Sequence, residues 1–223
     1  MQFLYHIDAG KESITLEGES YKYLFKVRRL KSGAIVELRN LKDSNLYFYR
    51  VVSVGKKEAT LTLISYEEKE VLPSKELTIG WCIIDPKVIE KSIASLNEMG
   101  VSKIVFIKCA YSQANFKIKL DRLEKILINS CQQCGRSSLM ELSFANSVFD
   151  FLKSYPNSYL LDFSKKKIDS SLEEISSIVI GCEGGVSKDE RALFSKEKIV
   201  GFNTPLILRS ESAAFGVASK ILL

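Results

Sequence analysis

The sequence predicts an α/β protein in which a mostly parallel sheet, with helices on both faces, follows a small N-terminal β-barrel. Two observations carry this prediction. Before residue 70 the chain consists of short segments in which apolar and polar residues alternate, as in half-buried strands. After residue 70, apolar strand-like runs alternate with segments of helical periodicity, a rhythm typical of parallel sheets covered by helices.

The composition is that of an ordinary globular protein. The 223 residues are 46% hydrophobic and 26% charged, which excludes disorder as the main state of the chain. The formal net charge of +5 is compatible with a nucleic-acid partner but does not indicate one by itself. No apolar run approaches the roughly 18 residues that span a bilayer, and the N-terminus lacks a signal-peptide pattern. We expect a cytoplasmic protein with no membrane partner.

Three runs in the first part of the chain carry the strand-like alternation, at residues 34–38, 46–54 and 59–65. The second run is rich in aromatic and β-branched residues, which strands favour. Short strands at this spacing predict a small barrel. Residues 20–31 break the pattern and are predicted to form a short helix and its exit, with five basic side chains and no acidic one.

A charged segment, residues 66–74, contains Pro73 and is predicted to link the two parts. We therefore assign residues 1–70 to the barrel and residues 73–223 to the α/β domain. In the second part, apolar runs predict strands at 77–84, 103–109, 158–163, 177–180 and 198–202. Apolar spacing and helix-stopping glycines predict helices at 86–99, 120–134 and 212–222.

A glycine-rich loop follows the strand predicted at 177–180. It contains Gly181, Gly184 and Gly185, and glycines let backbone groups approach a ligand without an intervening Cβ. Open α/β sheets bind ligands beyond the carboxyl ends of their strands. The pattern favours a ligand-binding loop, and the alternative is a tight strand–helix turn. The P-loop and dinucleotide-binding patterns are both absent. Ser187 and Glu190 have the spacing of a capping box for the next helix.

A second distinctive strand end precedes the last helix. Three aliphatic residues, Leu206–Leu208, come directly before Arg209 and Glu211, and the helix that follows is rich in Ser, Ala and Gly. A loop with an aliphatic base and a charged rim suits a cofactor with apolar and polar ends. In the alternative interpretation, Arg209 and Glu211 are surface or capping charges. The small residues indicate that something crowds this helix. A third strand end, at 160–163, has no distinctive feature of its own.

The five cysteines show neither a disulfide framework nor a metal-ligand pattern. Cys131 and Cys134 form a single CxxC, which would need two further ligands to hold zinc, and the only histidine, His6, is far away in sequence. We interpret the CxxC as small residues on a buried helix face and predict no metal site.

The two distinctive loops together resemble those of the RsmE-type 16S ribosomal RNA (uridine N3) methyltransferases. The resemblance rests on Ile-Gly-x-Glu-Gly-Gly followed by Ser-x-x-Glu at 180–190, and on Leu-Arg-Ser-Glu-Ser-Ala at 208–213. Weaker fragments at 23–30, 97–101 and 133–136 occur in the family's order. The chain departs from the family at Cys182, where proline is usual, and at Phe202-Asn203, where Leu-Gly is usual.

The resemblance implies the SPOUT class, in which the C-terminal part of the sheet is tied into a trefoil knot and the N-terminal barrel is PUA-like. It also implies S-adenosylmethionine as cofactor, a homodimer, and 16S ribosomal RNA or the small ribosomal subunit as partner. Local sequence pattern does not indicate a knot, because knots are nearly absent among folds. A knot would account for the crowding of the last helix.

The resemblance also implies a set of cofactor-binding residues at three strand ends. These are Leu161, Ile180, Gly181, Glu183, Gly184, Gly185, Gly201, Phe202, Asn203, Leu206 and Leu208. For catalysis we expect Arg209 or Arg136 to stabilise the negative charge that develops on the uracil. Glu211 is expected either to orient the arginine or to accept the N3 proton, a role that solvent or a carboxylate of the cofactor could also fill.

The helix predicted at 20–31 is the best candidate for contacts with RNA phosphates. Its basic side chains are Lys22, Lys26, Arg28, Arg29 and Lys31. The alternative is a solvated basic face without a partner. Two alternative functions also remain: a SPOUT methyltransferase that acts on another ribosomal or transfer RNA nucleotide, and a non-catalytic RNA-binding or assembly protein of the same fold.

Overall fold

The computed structural model describes residues 2–113 and 115–223, and the chain divides into two compact units. The N-terminal unit comprises the chain up to Leu72 together with Ile128–Leu139, and the C-terminal unit comprises Pro73–Leu127 and Met140–Leu223. The sequence predicted two contiguous domains, whereas in the structure Ile128–Leu139 belongs to the N-terminal unit. The segment joins that unit through apolar burial, because Cys131 lies in one buried cluster with Phe3, Leu41 and Leu46.

A mainly antiparallel five-stranded sheet forms the N-terminal unit. Its strands are β1 (Leu4–Tyr5), β2 (Ser13–Leu16), β3 (Ile35–Arg39), β4 (Asn45–Val54) and β5 (Ala59–Glu68). They are arranged in the order β1-β3-β4-β5-β2, with only β1 and β3 parallel. The three strands predicted from alternation are confirmed, and β5 continues into the predicted linker. Strands β1 and β2 were not predicted, because they are too short to display a period.

The basic segment forms a short α-helix, α1 (Gly18–Tyr21), that continues as a π-helix over Lys22–Val27. Tyr21, Leu24 and Phe25 of this segment are buried in the core of the N-terminal sheet, whereas Val27 is exposed. Arg29 ends the segment in the left-handed region, with φ at 57°. The predicted short helix is therefore present, with the wider π-type turn in place of a regular α-helical one.

The C-terminal unit contains a six-stranded sheet in which every neighbouring pair is parallel, as predicted. Its strands are β6 (Thr78–Cys82), β7 (Lys103–Ile107), β8 (Glu141–Ala145), β9 (Tyr159–Leu161), β10 (Ser177–Ile180) and β11 (Ile199–Val200). The order is β11-β9-β10-β6-β7-β8. Edge strand β8 was not predicted, since its residues are only partly buried and carry no continuous apolar run.

Five helices complete the described chain besides α1 and short 3₁₀ turns. They are α2 (Pro86–Glu98), α3 (Leu120–Cys134), α4 (Val148–Ser154), α5 (Lys188–Ala192) and α6 (Ser210–Leu222). Pro86 occupies the first turn of α2, and Gly100 follows that helix with a φ of 97°, as the sequence predicted. The sequence analysis missed α4. Within the described residues, no helix is long and apolar enough to cross a membrane.

Candidate functional site

A cavity of about 660 Å³ lies where β9, β10 and β11 end, within the size range of small-molecule sites. Its walls come from the loop after β9, the glycine-rich loop after β10, and the segment between β11 and α6. These are the three strand ends examined in the sequence. They meet because β9 pairs with both β10 and β11, so the carboxyl ends of three parallel strands lie side by side.

Most of the cofactor-binding residues expected from the resemblance line this cavity. They are Leu161, Ile180, Gly181, Glu183, Gly184, Gly185, Gly201, Phe202, Leu206 and Leu208, and Arg209 lines it as well. Asn203 is exposed and lies outside the lining, which its neighbour Thr204 joins instead. Glu211, in the first turn of α6, is half-buried and also lies outside the lining.

The glycine-rich loop folds tightly back on itself. A Cβ at Gly181 would lie 2.9 Å from the backbone of Gly185, and the Gly185 N–H donates to the Cys182 carbonyl at 2.9 Å. A Cβ at Gly184 would lie 3.2 Å from Cβ of Tyr111. The absence of side chains at Gly181 and Gly184 therefore permits the close approach that this loop shows.

The capping box predicted for α5 is confirmed and has a second role. Ser187 Oγ accepts a hydrogen bond from the Glu190 backbone N–H at 3.2 Å, and Glu190 Oε2 accepts one from the Ser187 N–H at 2.8 Å. The other oxygen of Glu190, Oε1, accepts a hydrogen bond from the Ala110 N–H at 2.8 Å. Glu190 thus fixes the start of α5 and fastens the loop after β7 to it.

The loops after β9 and β11 are bound to each other through their backbones at Gly201. A Cβ there would lie 2.8 Å from the Asp162 carbonyl oxygen and 3.0 Å from the Ser164 nitrogen. The Gly201 N–H donates to the Lys166 carbonyl at 2.9 Å. Lys167 Nζ donates to the carbonyls of Ser164 at 3.2 Å and Phe202 at 3.1 Å. The lysine run at 165–167 therefore contributes to this crossing.

A buried hydroxyl group joins three elements of the site. Ser210 Oγ, at the start of α6, accepts a hydrogen bond from Trp81 Nε1 on β6 at 2.8 Å. The same oxygen donates to the carbonyl of Gly181 at 2.6 Å. Both side chains are buried, so the last helix is fixed against the glycine-rich loop by hydrogen bonds that are largely shielded from water. Sequence pattern did not identify Trp81 as part of the site.

The third strand end contributes more than its sequence indicated. Asp162 and Phe163 both line the cavity, and Asp162 accepts a hydrogen bond from Arg191 Nε at 2.6 Å. Phe163 is 76% exposed and Ile207 is 82% exposed, so the cavity has an apolar rim open to the solvent. The adjacency of β9 to β11 depends on pairing between distant segments, and no local signal in 160–163 could have revealed it.

The two candidate catalytic arginines lie in different environments. Arg209 is exposed and occupies the N-cap position of α6, with no ion pair to Glu211 in the described structure. Arg136 belongs to the N-terminal unit and is 6% exposed, and burial lowers the pKa of its guanidinium. Only Arg209 of these two arginines lines the cavity, beside the predicted cofactor-binding residues.

The five basic residues predicted to bind RNA are all exposed on the N-terminal unit. The Arg28 guanidinium lies 5.9 Å from the ring centroid of Tyr23, and Lys26 Nζ lies 5.4 Å from that of Tyr21. Lys22 lies 3.7 Å from Glu19, and both side chains of this pair are exposed to solvent. Cation–π contacts with Tyr21 and Tyr23 therefore restrain the side chains of Lys26 and Arg28.

Comparison with known proteins gives matches along nearly the whole chain. Residues 71–222 match the family model described as an RNA methyltransferase domain, and residues 16–64 match that of an RNA methyltransferase PUA domain. The chain is 41% identical over 222 residues to the "Ribosomal RNA small subunit methyltransferase E" of Helicobacter pylori strain J99, covering 98% of each chain.

Two solved structures share the fold. A predicted RNA methyltransferase of Thermotoga maritima is 27% identical, with a TM-score of 0.77 and coverage of 99% of this chain and 97% of that one. The Neisseria gonorrhoeae ribosomal RNA small subunit methyltransferase E, solved with S-adenosyl methionine, is 16% identical, with a TM-score of 0.77 and coverage of 98% and 95%.

Proposed function

The chain belongs to the family of the small-subunit ribosomal RNA methyltransferases E, and from this premise we propose that it transfers a methyl group from S-adenosylmethionine to N3 of a uridine in 16S ribosomal RNA. The observation that carries the proposal is the cavity at the ends of β9, β10 and β11. The glycine-rich loop and the segment before α6 both line this cavity, and Arg209 lies at its edge. The full-length similarity to the Helicobacter pylori protein supports the RNA substrate.

The cavity fits S-adenosylmethionine in size and in chemistry. Its volume of about 660 Å³ lies within the range of pockets that hold small-molecule cofactors. Leu161, Leu206 and Leu208 supply apolar walls. The backbone of the loop Gly181–Gly185 supplies amide and carbonyl groups for the polar parts of the ligand. These residues, with Phe202 at the opposite wall, are the ones that would hold the cofactor.

When bound, the cofactor supplies an activated methyl group, so the protein has to position the uridine, exclude water and manage one proton. Arg209 is placed at the edge of the cavity, where its guanidinium can stabilise the negative charge on the uracil. We propose Glu211 as acceptor of the N3 proton, because it lies in the first turn of α6 between Ser210 and Ala213, which both line the cavity. Glu211→Gln should then lower kcat while the Kd for S-adenosylmethionine stays unchanged, and an unchanged kcat would contradict this role.

We assign RNA binding to the N-terminal unit. Its match to the PUA domain model of RNA methyltransferases supports this assignment, as does the exposed basic segment between Lys22 and Lys31. Basic side chains bind phosphates without reading sequence, so this segment would supply affinity while the cavity selects the base.

We further propose a homodimer and a trefoil knot. The exposed apolar rim of the cavity, with Phe163, Leu206 and Ile207, supports a protein contact there, because such patches on soluble proteins commonly mark interaction sites. The tight backbone crossing at Gly201 supports the threading of the C-terminal segment through the loop after β9. The proposed ribosomal RNA substrate supports a cytoplasmic location.

The test is methyl transfer by purified protein from labelled S-adenosylmethionine to three substrates: free 16S ribosomal RNA, small ribosomal subunits and transfer RNA. Label in either small-subunit substrate and none in transfer RNA supports the proposal, and the comparison shows which form of the RNA is the substrate. Label in transfer RNA alone would contradict it. Cofactor binding without transfer to any RNA would favour a non-catalytic RNA-binding protein.

A further inference from the structure

Three buried thiols lie together beside the glycine-rich loop. Cys82 ends β6, Cys109 follows β7 by two residues, and Cys182 lies inside the loop after β10. All three are free thiols, and none has a part in the methyl transfer proposed above. In the sequence, Cys182 is distinctive only because it stands where proline is usual.

Two of these thiols are nearly close enough to be joined. The Sγ atoms of Cys109 and Cys182 are 3.7 Å apart. A disulfide bond is about 2.05 Å long, so the two sulfurs would have to approach each other by roughly 1.6 Å. Both residues lie in loops beyond strand ends, where the backbone can move more readily than inside the sheet.

The thiols of Cys109 and Cys182 differ in pKa, and of the two only Cys182 lines the cavity. The contact with Cys182, together with hydrogen bonds from Cys82 and Ser112, lowers the pKa of Cys109, whose Sγ lies 3.1 Å from Ser112 Oγ. The pKa of Cys182 is raised, chiefly by Cys109, and that of Cys82 is raised well above its usual value. Cys182 lines the cavity, whereas Cys82 is fully buried outside the lining. A small oxidant in the cavity therefore meets Cys182 first, and the buried Cys109 lies directly behind it.

We propose that Cys109 and Cys182 form a site of reversible oxidative modification, at which a peroxide-class oxidant links them in a disulfide that disables the cofactor cavity. In the first step one thiol is oxidised to a sulfenic acid, and the peroxide O–O bond breaks with release of water. The second thiol then attacks that sulfur, the S–S bond forms, and a second water leaves. A dithiol reductant reverses the reaction.

The link would act on the loop that is expected to hold the cofactor, so this inference rests on the proposed function. Cys182 Sγ lies 3.4 Å from the Gly185 carbonyl, and the loop after β7 contacts Gly184 through Tyr111. Drawing Cys182 toward Cys109 disturbs the tight fold of Gly181–Gly185, the loop that lines the cavity. Bound S-adenosylmethionine should in turn shield Cys182 and slow the oxidation.

The experiment uses the full chain with Cys134→Ser, which removes an exposed thiol that would otherwise react first. The protein is treated with hydrogen peroxide, digested without reduction and analysed by mass spectrometry for a Cys109–Cys182 peptide. The Kd for S-adenosylmethionine is measured by calorimetry before oxidation, after it, and after reduction. Added Cys109→Ser or Cys182→Ala removes the link, and added Cys82→Ser serves as the matched control.

We expect the Cys109–Cys182 peptide, a Kd about tenfold higher in the oxidised protein, and full recovery on reduction. The Cys82→Ser control should respond in the same way, and both linking variants should be insensitive. A Cys82–Cys109 peptide, over-oxidation without a link, or a link that leaves the Kd unchanged would overturn the inference. Failure of the reduced protein to bind S-adenosylmethionine would instead count against the proposed function, because formation of the disulfide is read out independently.

Discussion

Trp81 Nε1 donates a hydrogen bond to Ser210 Oγ at 2.8 Å, across 129 positions of sequence. Because the same hydroxyl donates to the Gly181 carbonyl, one oxygen atom joins strand β6, the glycine-rich loop and the first residue of the last helix. Arg209 immediately precedes this hydroxyl, so the bond also fixes the point from which the candidate catalytic side chain extends.

Ser210→Ala should weaken both folding and cofactor binding. The substitution leaves the buried Trp81 N–H without its acceptor, and an unsatisfied buried group costs about 1–3 kcal/mol. We expect a loss of this size in the free energy of unfolding, measured with denaturant, and a higher Kd for S-adenosylmethionine. Ser210→Thr, the matched control, keeps the hydroxyl and should retain both properties. Equal losses in the Ala and Thr variants would contradict the role of the hydroxyl group.

Arg209→Ala should lower turnover far more than it lowers cofactor affinity. Removal of one group that stabilises charge in a transition state costs on the order of 100-fold in kcat. Arg209 is exposed at the edge of the cavity, so its loss should have little effect on folding. The check is kcat with saturating RNA beside the cofactor Kd from calorimetry. Parallel losses in the two would mean that Arg209 only holds the cofactor.

Gly201→Ala should destabilise the C-terminal unit. The added Cβ would meet the backbone of Asp162 and Ser164 at 2.8 and 3.0 Å, and backbone atoms cannot rotate away as a flexible side chain does. Overpacking of this kind costs about 1–3 kcal/mol, read from the shift of the unfolding midpoint. Gly55→Ala is the control, because its Cβ would meet its nearest neighbour at an ordinary 3.4 Å. Similar behaviour of both variants would show that the crossing at Gly201 tolerates a side chain.

Neutralising Arg28 and Arg29 should flatten the salt dependence of RNA binding. If each contacts one phosphate of single-stranded RNA, the slope of log K against log salt should fall by about 1.4 in magnitude. The control replaces Lys56 and Lys57, an equally exposed basic pair in the turn between β4 and β5. A slope that changes equally in both double variants would mean that the protein responds to net charge and not to this segment.

Elements that depend on residues close together in the sequence could be predicted from the sequence pattern. Strand β10 lies at the predicted residues 177–180, and the capping box of Ser187 and Glu190 is present. The rest depends on contacts between distant segments. Asp162 belongs to the cavity because β9 lies between β10 and β11, and Trp81 belongs to the site through a hydroxyl far along the chain. A sequence pattern shows which face of a strand is apolar, but it does not show which strand lies beside it.

The resemblance to a family predicted a set of cofactor-binding residues, which periodicity could not indicate. The structure shows which of these residues line the cavity. Leu206 and Leu208 line the cavity, whereas Asn203 is exposed and lies outside the lining. Asn203 is also a position at which the chain departs from the family pattern. The exchange of Ile128–Leu139 into the N-terminal unit had no sequence signal, because one continuous helical periodicity runs through the boundary.

The most direct test of the proposed function is the identity of the methylated atom. Small-subunit RNA is incubated with the purified protein and S-adenosylmethionine, digested to nucleosides and compared by mass spectrometry with methyluridine standards. A reverse-transcription stop locates the position in the RNA. We expect N3-methyluridine at one position, and its absence when Arg209→Ala replaces the wild-type protein. A methyl group on another atom, on another base or only on transfer RNA would contradict it.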